Sequence, residues 1–340
     1  MIFQKNIALR DLNTFKIGGN AKYFCVVKTI EELKEAVIFA KENKLPFFVL
    51  GGGSNTLFSD EEFDGLVIKM EMMGRSFEKT SKNGIWLSAG AGENWDELVN
   101  FVVNNNFFGI ENLSGIPGTV GGATVQNIGA YGAEVGNSII EVEVFDISDM
   151  KTKILSAKEC LFSYRNSVFK RSEGKKYIVT KILFGLKKDG EINTRYKDIK
   201  EYFKSKNNRE ITLKNLSSAI LEIRAKKFPD LKTYGTAGSF FKNPTVSAEA
   251  CEKIREKYPQ IPAYPVSDEN FRIPLAWILD HICGLKGFRK GKVGLYENQP
   301  LVMVNFDGAL SNDVKEFANK IALIVKEKVG IEIEEEVVCV

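Results

Sequence analysis

The stretch GTAGSFFKNP sets a lone hydroxyl, Ser239, between the small residues Gly235, Ala237 and Gly238 and an enclosing Phe240, Phe241 and Pro244. A hydroxyl on nearly bare backbone is a point that a reactant can approach closely, and it can bind that reactant or give it a proton. Histidine chemistry is almost closed to this chain, because its 340 residues include one histidine, His281. His281 lies in LAWILDHICGL, a mostly apolar helical run, where a structural role is expected. A His-based metal site and a Ser-His-Asp triad are thereby set aside, and no metal is expected. Proton chemistry then falls to Ser, Tyr, Lys or carboxylates. Cys25, Cys160, Cys251, Cys283 and Cys339 are odd in number, scattered and without a CxxC pair. They read as reduced thiols of a cytoplasmic protein.

Two glycine-rich segments could cradle a ligand. In LGGGSNTLF, Gly51, Gly52 and Gly53 directly follow the apolar FFVL, and Ser54, Asn55 and Thr56 add side-chain donors. Residues without Cβ let backbone N–H groups converge on an anion, and a tight turn explains the same run equally well. LSGIPGTVGGATVQNIGAYGAE carries Gly115, Gly118, Gly121, Gly122, Gly129 and Gly132, and reads as a long ordered loop of the kind that usually serves function. Neither matches GxGxxG, since Thr56 stands where the third glycine would fall, so a Rossmann site is not supported. Two separated loops around a long phosphate-bearing ligand suit an extended dinucleotide such as FAD better.

The elements that must position these groups follow from periodicity. KYFCVVKTIEELKEAVIFAKENKLPFFVL reads strand, helix, strand, with Thr29 as cap, Glu31 and Glu32 in the first turn, and Leu33, Ala36, Val37 and Ala40 on one face. FDGLVIKM, NGIWLSAGAG, EVEVFDI and YIVTKILFGL read as strands, and NWDELVNFVVNNNFFG as a helix ending at Gly109. SSAILEIRAKKFP is a helix stopped by Pro229, SAEACEKIREKYP and NDVKEFANKIALIVKEKVG are two more, and IEIEEEVVCV reads as a strand. The class is α+β, of two or three domains, with a break expected near 205–215 in the polar KSKNNREIT. A net charge of +3, spread along the chain, argues against nucleic acid or membrane as partner. The N-terminal segment has no apolar core of a signal peptide, and no run approaches the ~18 apolar residues of a membrane span.

Taken in order, NTFKIGG, LGGGSNTLF, GAGENWDELV, GIPGTVGGATVQNIGAYGAE, SYRNSVFK, GTAGSFFKNP and a closing EEEV resemble the MurB family of bacterial flavoenzymes, over nearly the whole chain. The resemblance implies a flavin-binding fold of the vanillyl-alcohol-oxidase (PCMH) type, with a separate α+β substrate domain. It implies two FAD-binding subdomains, 1–75 and 76–210, a substrate domain at 211–330, and a C-terminal strand 331–340 returning near the first. It also implies hydride transfer from NADPH to FAD and on to an enolpyruvyl double bond, making UDP-N-acetylmuramate for peptidoglycan. Residues 45–135 contain no His or Cys, so FAD would be held without a covalent bond.

Arg165 matches the family's catalytic arginine, whose planar fork suits a carboxylate. Glu336 matches its C-terminal acid, with Glu334 and Glu335 as rivals, since the family's usual proline is replaced by Glu335. Strand alternation would put Glu332, Glu334 and Glu336 on one face with Val338 and Val340, and the apolar end of that face would favour a protonated, donating Glu336. Ser239 matches the proton donor. The implied FAD contacts are Gly51, Gly52, Gly53, Ser54, Asn55, Ser114, Gly115, Ile116, Pro117, Gly118, Gly121, Gly122, Gln126, Asn127, Gly129, Ala130, Tyr131 and Arg224. Tyr196, Lys227, Asn243, Gln299 and Tyr264 are implied on the substrate side, Tyr264 in a loop, YPQIPAYPVSDENFRIP, that resembles the longer family type. The implied partner is the small-molecule substrate, UDP-N-acetylglucosamine enolpyruvate, and a monomer is expected.

Overall fold

A computed structural model of the chain describes residues 1–80, 84–206 and 211–340. Asn83, which opens the expected NGIWLSAGAG strand, and 207–210 of the expected domain break lie outside the described residues. In chain order the elements begin β1 (Gln4–Ala8), β2 (Asn20–Val27), α1 (Ile30–Glu42), β3 (Phe47–Leu50), β4 (Thr56–Leu57), β5 (Phe63–Met70), β6 (Arg75–Thr80) and β7 (Gly84–Gly90). Next come α2 (Trp95–Asn104), α3 (Val120–Gln126), β8 (Gly129–Ala130), β9 (Ala133–Glu134), β10 (Ile139–Asp146), β11 (Lys151–Ser156), β12 (Tyr177–Lys187), α4 (Lys197–Ser205) and α5 (Leu213–Lys227). The last third holds β13 (Thr245–Ser247), α6 (Ala248–Lys257), β14 (Tyr264–Ser267), β15 (Asn270–Arg272), α7 (Leu275–Trp277), β16 (Arg289–Lys290), β17 (Val293–Tyr296), β18 (Gln299–Asn305), α8 (Ser311–Val329) and β19 (Val338–Cys339).

The chain forms two units, each assembled from separated segments. The first comprises Met1–Ile7, Ala21–Gly52 and Asp64–Ala225. The second comprises Ala8–Asn20, Gly53–Phe63 and Lys226–Val340. The chain thus passes between them five times, once between Gly52 and Gly53, inside the first glycine segment, and last near the end of α5.

In the first unit, a sheet ordered β1-β2-β5-β3 pairs β3 with β5 in parallel, and an antiparallel sheet runs β11-β10-β12-β7-β6. Thr29 caps α1 by accepting the N–H of Glu32 at 3.2 Å, and Leu33, Ala36, Val37 and Ala40 are the residues it buries. Trp95 opens α2 fully buried, packs against Phe184 of β12 and donates its indole N–H to the Leu113 carbonyl at 3.0 Å. Helix α2 ends at Asn104, not at Gly109: Asn105 caps it and Asn106 takes a φ of +56°. Asparagine tolerates the left-handed region, so the stop falls before the glycine is reached.

In the second unit, α8 lays Val314, Phe317, Ala318, Ile321 and Val325 into a core that also contains Phe15, Phe240, Phe241, Leu295 and Met303. Gly330 ends α8 in the left-handed region, φ +77°. His281 is exposed, stacks on Trp277 with ring centroids 4.7 Å apart, and shares a 3.2 Å hydrogen bond with the Trp277 carbonyl. The stretch around Tyr264 is a hairpin, β14 and β15, with β13 on its far side, rather than an irregular loop. Among the described residues no helix is long and apolar enough to cross a membrane.

Candidate active site

The segment of the second unit that carries Ser239 is held on both edges. Gly235 pairs with Asn305 and Ser239 with Val302 along β18, and the Phe240 N–H donates to the Leu301 carbonyl at 2.8 Å. On the other side the C-terminal tail bridges Phe241 through Glu335, and the Glu336 N–H donates to the Phe240 carbonyl at 2.8 Å. Ser239 and Glu336 are therefore brought to adjoining backbone, both partly buried, over the fully buried rings of Phe240 and Phe241. The two glycines differ in purpose. A Cβ on Gly235 would stand 2.2 Å from the Phe15 carbonyl, so its bareness serves packing. A Cβ on Gly238, at φ +76°, would meet nothing within 4 Å, so the open space lies beside Ser239 alone.

The tail departs from the single strand expected of it. Only Val338–Cys339 forms a ladder, parallel to β4, and Glu335 contributes one bridge. Glu334 and Glu335 are both exposed, Glu336 is half-buried and Val337 is buried. The tail changes partner from Phe240–Lys242 to β4 at a bend at Val337, so no continuous neighbour imposes a period of two.

One polar chain ties this segment to the glycine run. The Thr14 hydroxyl donates to the Thr236 carbonyl at 2.6 Å, the Thr236 N–H to the Thr14 carbonyl at 2.9 Å, and the Thr14 N–H to the Gly53 carbonyl at 3.1 Å. The Asn55 amide donates to the Glu336 carbonyl at 3.0 Å. Thr14 was not singled out from the sequence, although it lies in NTFKIGG. Its signal was a hydroxyl inside a family motif.

In the first unit the two glycine segments pack on each other. A Cβ on Gly52 would stand 2.7 Å from the Gly118 Cα, and one on Gly51 2.6 Å from the Thr119 hydroxyl oxygen. The second segment is not a long loop. Thr119 caps α3 by accepting the Gly122 N–H at 3.3 Å, and α3 ends at Asn127 with φ +42°. Gly121 donates its N–H to the Ala91 carbonyl, and Gly118 accepts from the Trp95 N–H. Gly115 is fixed between Asp96, which accepts its N–H at 2.5 Å, and Arg224, which donates Nε–H to its carbonyl at 2.9 Å. Ser114 shares a 2.9 Å hydrogen bond with Ser217. Burial lowers the pKa of Arg224 and pushes the Tyr131 phenol up to about 12, although Arg224 hydrogen-bonds that phenol. Tyr196 meets Tyr131 edge-on, with centroids 5.2 Å apart.

Arg165 sits in a turn closed by Ser163 and Asn166, with φ +52°. A non-glycine residue held there stores on the order of 1 kcal/mol, which the surroundings must offset. They do so by contacts: Arg165 Nη2 donates to the Gly129 carbonyl at 2.8 Å, and Lys170 donates to the Arg165 carbonyl at 2.9 Å and to Gln126 at 2.8 Å. Asn127 braces the same region by donating to Glu134 and the Ser163 carbonyl. Of the remaining expected residues, Asn243 accepts the N–H of Leu275 at the start of α7, Lys227 ends α5, Gln299 opens β18, and Tyr264 opens β14 and is exposed. Arg165 belongs to the first unit, and Ser239 and Glu336 to the second.

Residues 21–153 match the family model described as an FAD binding domain, and 230–340 match that of the UDP-N-acetylenolpyruvoylglucosamine reductase C-terminal domain. A UDP-N-acetylenolpyruvoylglucosamine reductase of Flavobacterium johnsoniae is 39% identical over 99% of both chains, and one of Amoebophilus asiaticus 40% identical over 99% of both. The crystal structure of the Thermus caldophilus enzyme of that name superposes with a TM-score of 0.69, at 25% identity, over 99% of each chain. Free donors agree with a flavin dinucleotide: among the described residues, the amides of Gly53 and Asn55 donate to no protein atom, which suits a diphosphate. The molecule is thus an FAD-containing oxidoreductase of the α+β class with a flavin-binding domain. More narrowly, the chain belongs to the UDP-N-acetylenolpyruvoylglucosamine reductase family.

Proposed function

We propose that the protein uses NADPH to reduce UDP-N-acetylglucosamine enolpyruvate to UDP-N-acetylmuramate, as a cytoplasmic monomer, in peptidoglycan synthesis. The observation that carries this reading is Ser239, fixed between β18 and the Glu335–Glu336 tail beside the open space at Gly238. FAD, when bound without a covalent link, supplies the hydride chemistry between NADPH and the enolpyruvyl methylene carbon. Gly51–Asn55, Ser114–Gly118, Gly121, Gly122, Gln126, Asn127, Gly129–Tyr131 and Arg224 hold it. In this reading 1–75 and 76–210 serve the flavin and 211–330 the substrate.

Arrival of hydride at the methylene carbon leaves a carbanion on its neighbour, delocalised onto the attached carboxylate. Charge on that carboxylate grows, so donors fixed around it favour the transition state over the ground state. Arg165 supplies a planar fork and a protonated Glu336 a further donor. Ser239 gives its hydroxyl proton to the carbanion carbon: the new C–H bond forms as the O–H bond breaks, and solvent returns the proton to oxygen. Serine is a weak acid, but a carbanion beside a carboxylate is a far stronger base. Lys227 and Asn243 polarise the hydroxyl and the substrate, Tyr196 and Gln299 bind the nucleotide portion, and Tyr264 closes over it.

The test is anaerobic. NADPH should bleach the yellow protein, and UDP-N-acetylglucosamine enolpyruvate should restore its colour. Bleached flavin that the substrate leaves reduced would end this reading.

A further inference from the structure

Lys69 stands on β5 opposite Leu50, the last residue of β3, in the parallel ladder. Its ammonium donates to the Gly51 carbonyl at 2.5 Å. Among the described residues that carbonyl is its one hydrogen-bond acceptor, so two of its N–H donors remain unspent. A cavity of about 370 Å³ opens here, lined by Lys28, Lys69, Glu71, Gly92 and Thr119 together with Met70 and Met73. Thr119 is the residue on which Gly51 packs.

This is a costly way to hold a turn. Burial opposes the charged form of Lys69 and lowers its pKa, with Glu71 offsetting part of the effect. One neutral carbonyl repays little of the desolvation of an ammonium, and a neutral amide would hold that carbonyl as well. The arrangement becomes economical if an anion completes the shell. The cavity itself asks for one: Lys28 and Lys69 against Glu71 leave its lining with an excess of positive charge, beside the Thr119 on which Gly51 packs. A carbonyl held by the ammonium also fixes the trans Gly51–Gly52 peptide, whose N–H faces the opposite side.

We propose that Lys69 is a flavin-binding residue, which clamps the Gly51 carbonyl and spends its remaining charge on the cofactor's diphosphate. Lys28 widens the positive field on the same cavity, while Glu71 offsets part of what burial costs the charged Lys69. The proposal rests on FAD as the cofactor and adds to it a cation on β5, outside both glycine segments.

The experiment titrates FAD into apoprotein and follows quenching of flavin fluorescence, for wild type, Lys69→Met and Lys69→Arg, at low and high salt. A charge-assisted hydrogen bond lost to Met should weaken FAD by about ten- to a hundredfold and flatten the salt dependence. Lys69→Arg should stay within a few-fold of wild type and keep its salt dependence. Thermal melting of the apoproteins separates folding from binding, and Lys69→Gln replaces Lys69→Met if that variant does not fold. Wild-type affinity and salt dependence in the neutral variants would overturn the proposal, as would equal weakening by Arg and Met. Wild type that binds no FAD would instead overturn the cofactor assignment.

Discussion

Two glycines three residues apart, Gly235 and Gly238, offer a paired test of what the bare backbone before Ser239 is for. In Gly238→Ala the new methyl meets nothing within 4 Å, so the cost is conformational, from a φ of +76°. For an L-residue that is about 1–2 kcal/mol, and roughly 2–4 °C of melting temperature per kcal/mol for a domain of this order of size. In Gly235→Ala the methyl would lie 2.2 Å from the Phe15 carbonyl, which also accepts the Asn305 side-chain amide at 3.1 Å. Backbone must move and a buried hydrogen bond is disturbed, for about 2–4 kcal/mol together. Gly235→Ala should therefore melt well below Gly238→Ala. The order reverses for chemistry: Gly238→Ala should fold and bind FAD, yet slow both half-reactions at least about tenfold in stopped-flow, because the methyl stands where the reacting groups must come. Equal melting temperatures, or wild-type half-reactions in Gly238→Ala, would refute the reasoning.

Ser239→Ala separates the half-reactions: flavin reduction by NADPH should persist, while reoxidation by substrate falls by about 10²–10⁴-fold, and equal loss of both would make Ser239 structural. Acid precipitation should release all the flavin into the supernatant, and yellow pellets would contradict non-covalent binding. Thr14→Val keeps shape but strands the Thr236 carbonyl that Thr14 reaches at 2.6 Å, so chemical melts should show a loss of about 1–3 kcal/mol, and an unchanged midpoint would deny that this bond matters.

Local order was largely legible in the chain. The cap and buried face of α1, the stop of α5 before Pro229, and the glycine end of α8 each follow from short-range rules, because neighbours within a turn or two decide them. Where a rule had two candidates it erred: at the end of α2 the asparagines came first, and the glycine-rich second segment concealed α3 behind low helix propensity. The tail misled for a different reason. An alternating face implies one strand only if one partner runs beside it, and this tail has two.

By itself the sequence determined the residue types available for chemistry: one histidine, two glycine-rich segments, and Ser239, Arg165 and Glu336 in motifs with a family's order. Tertiary structure alone decided which glycine is open and which is filled, that Ser239 and Glu336 share adjoining backbone, and that Lys69 reaches Gly51. The reason is physical. A missing Cβ, an acid or a lysine is written in the chain, but the atom that stands opposite is supplied by a segment up to hundreds of residues away, and only folding brings it there.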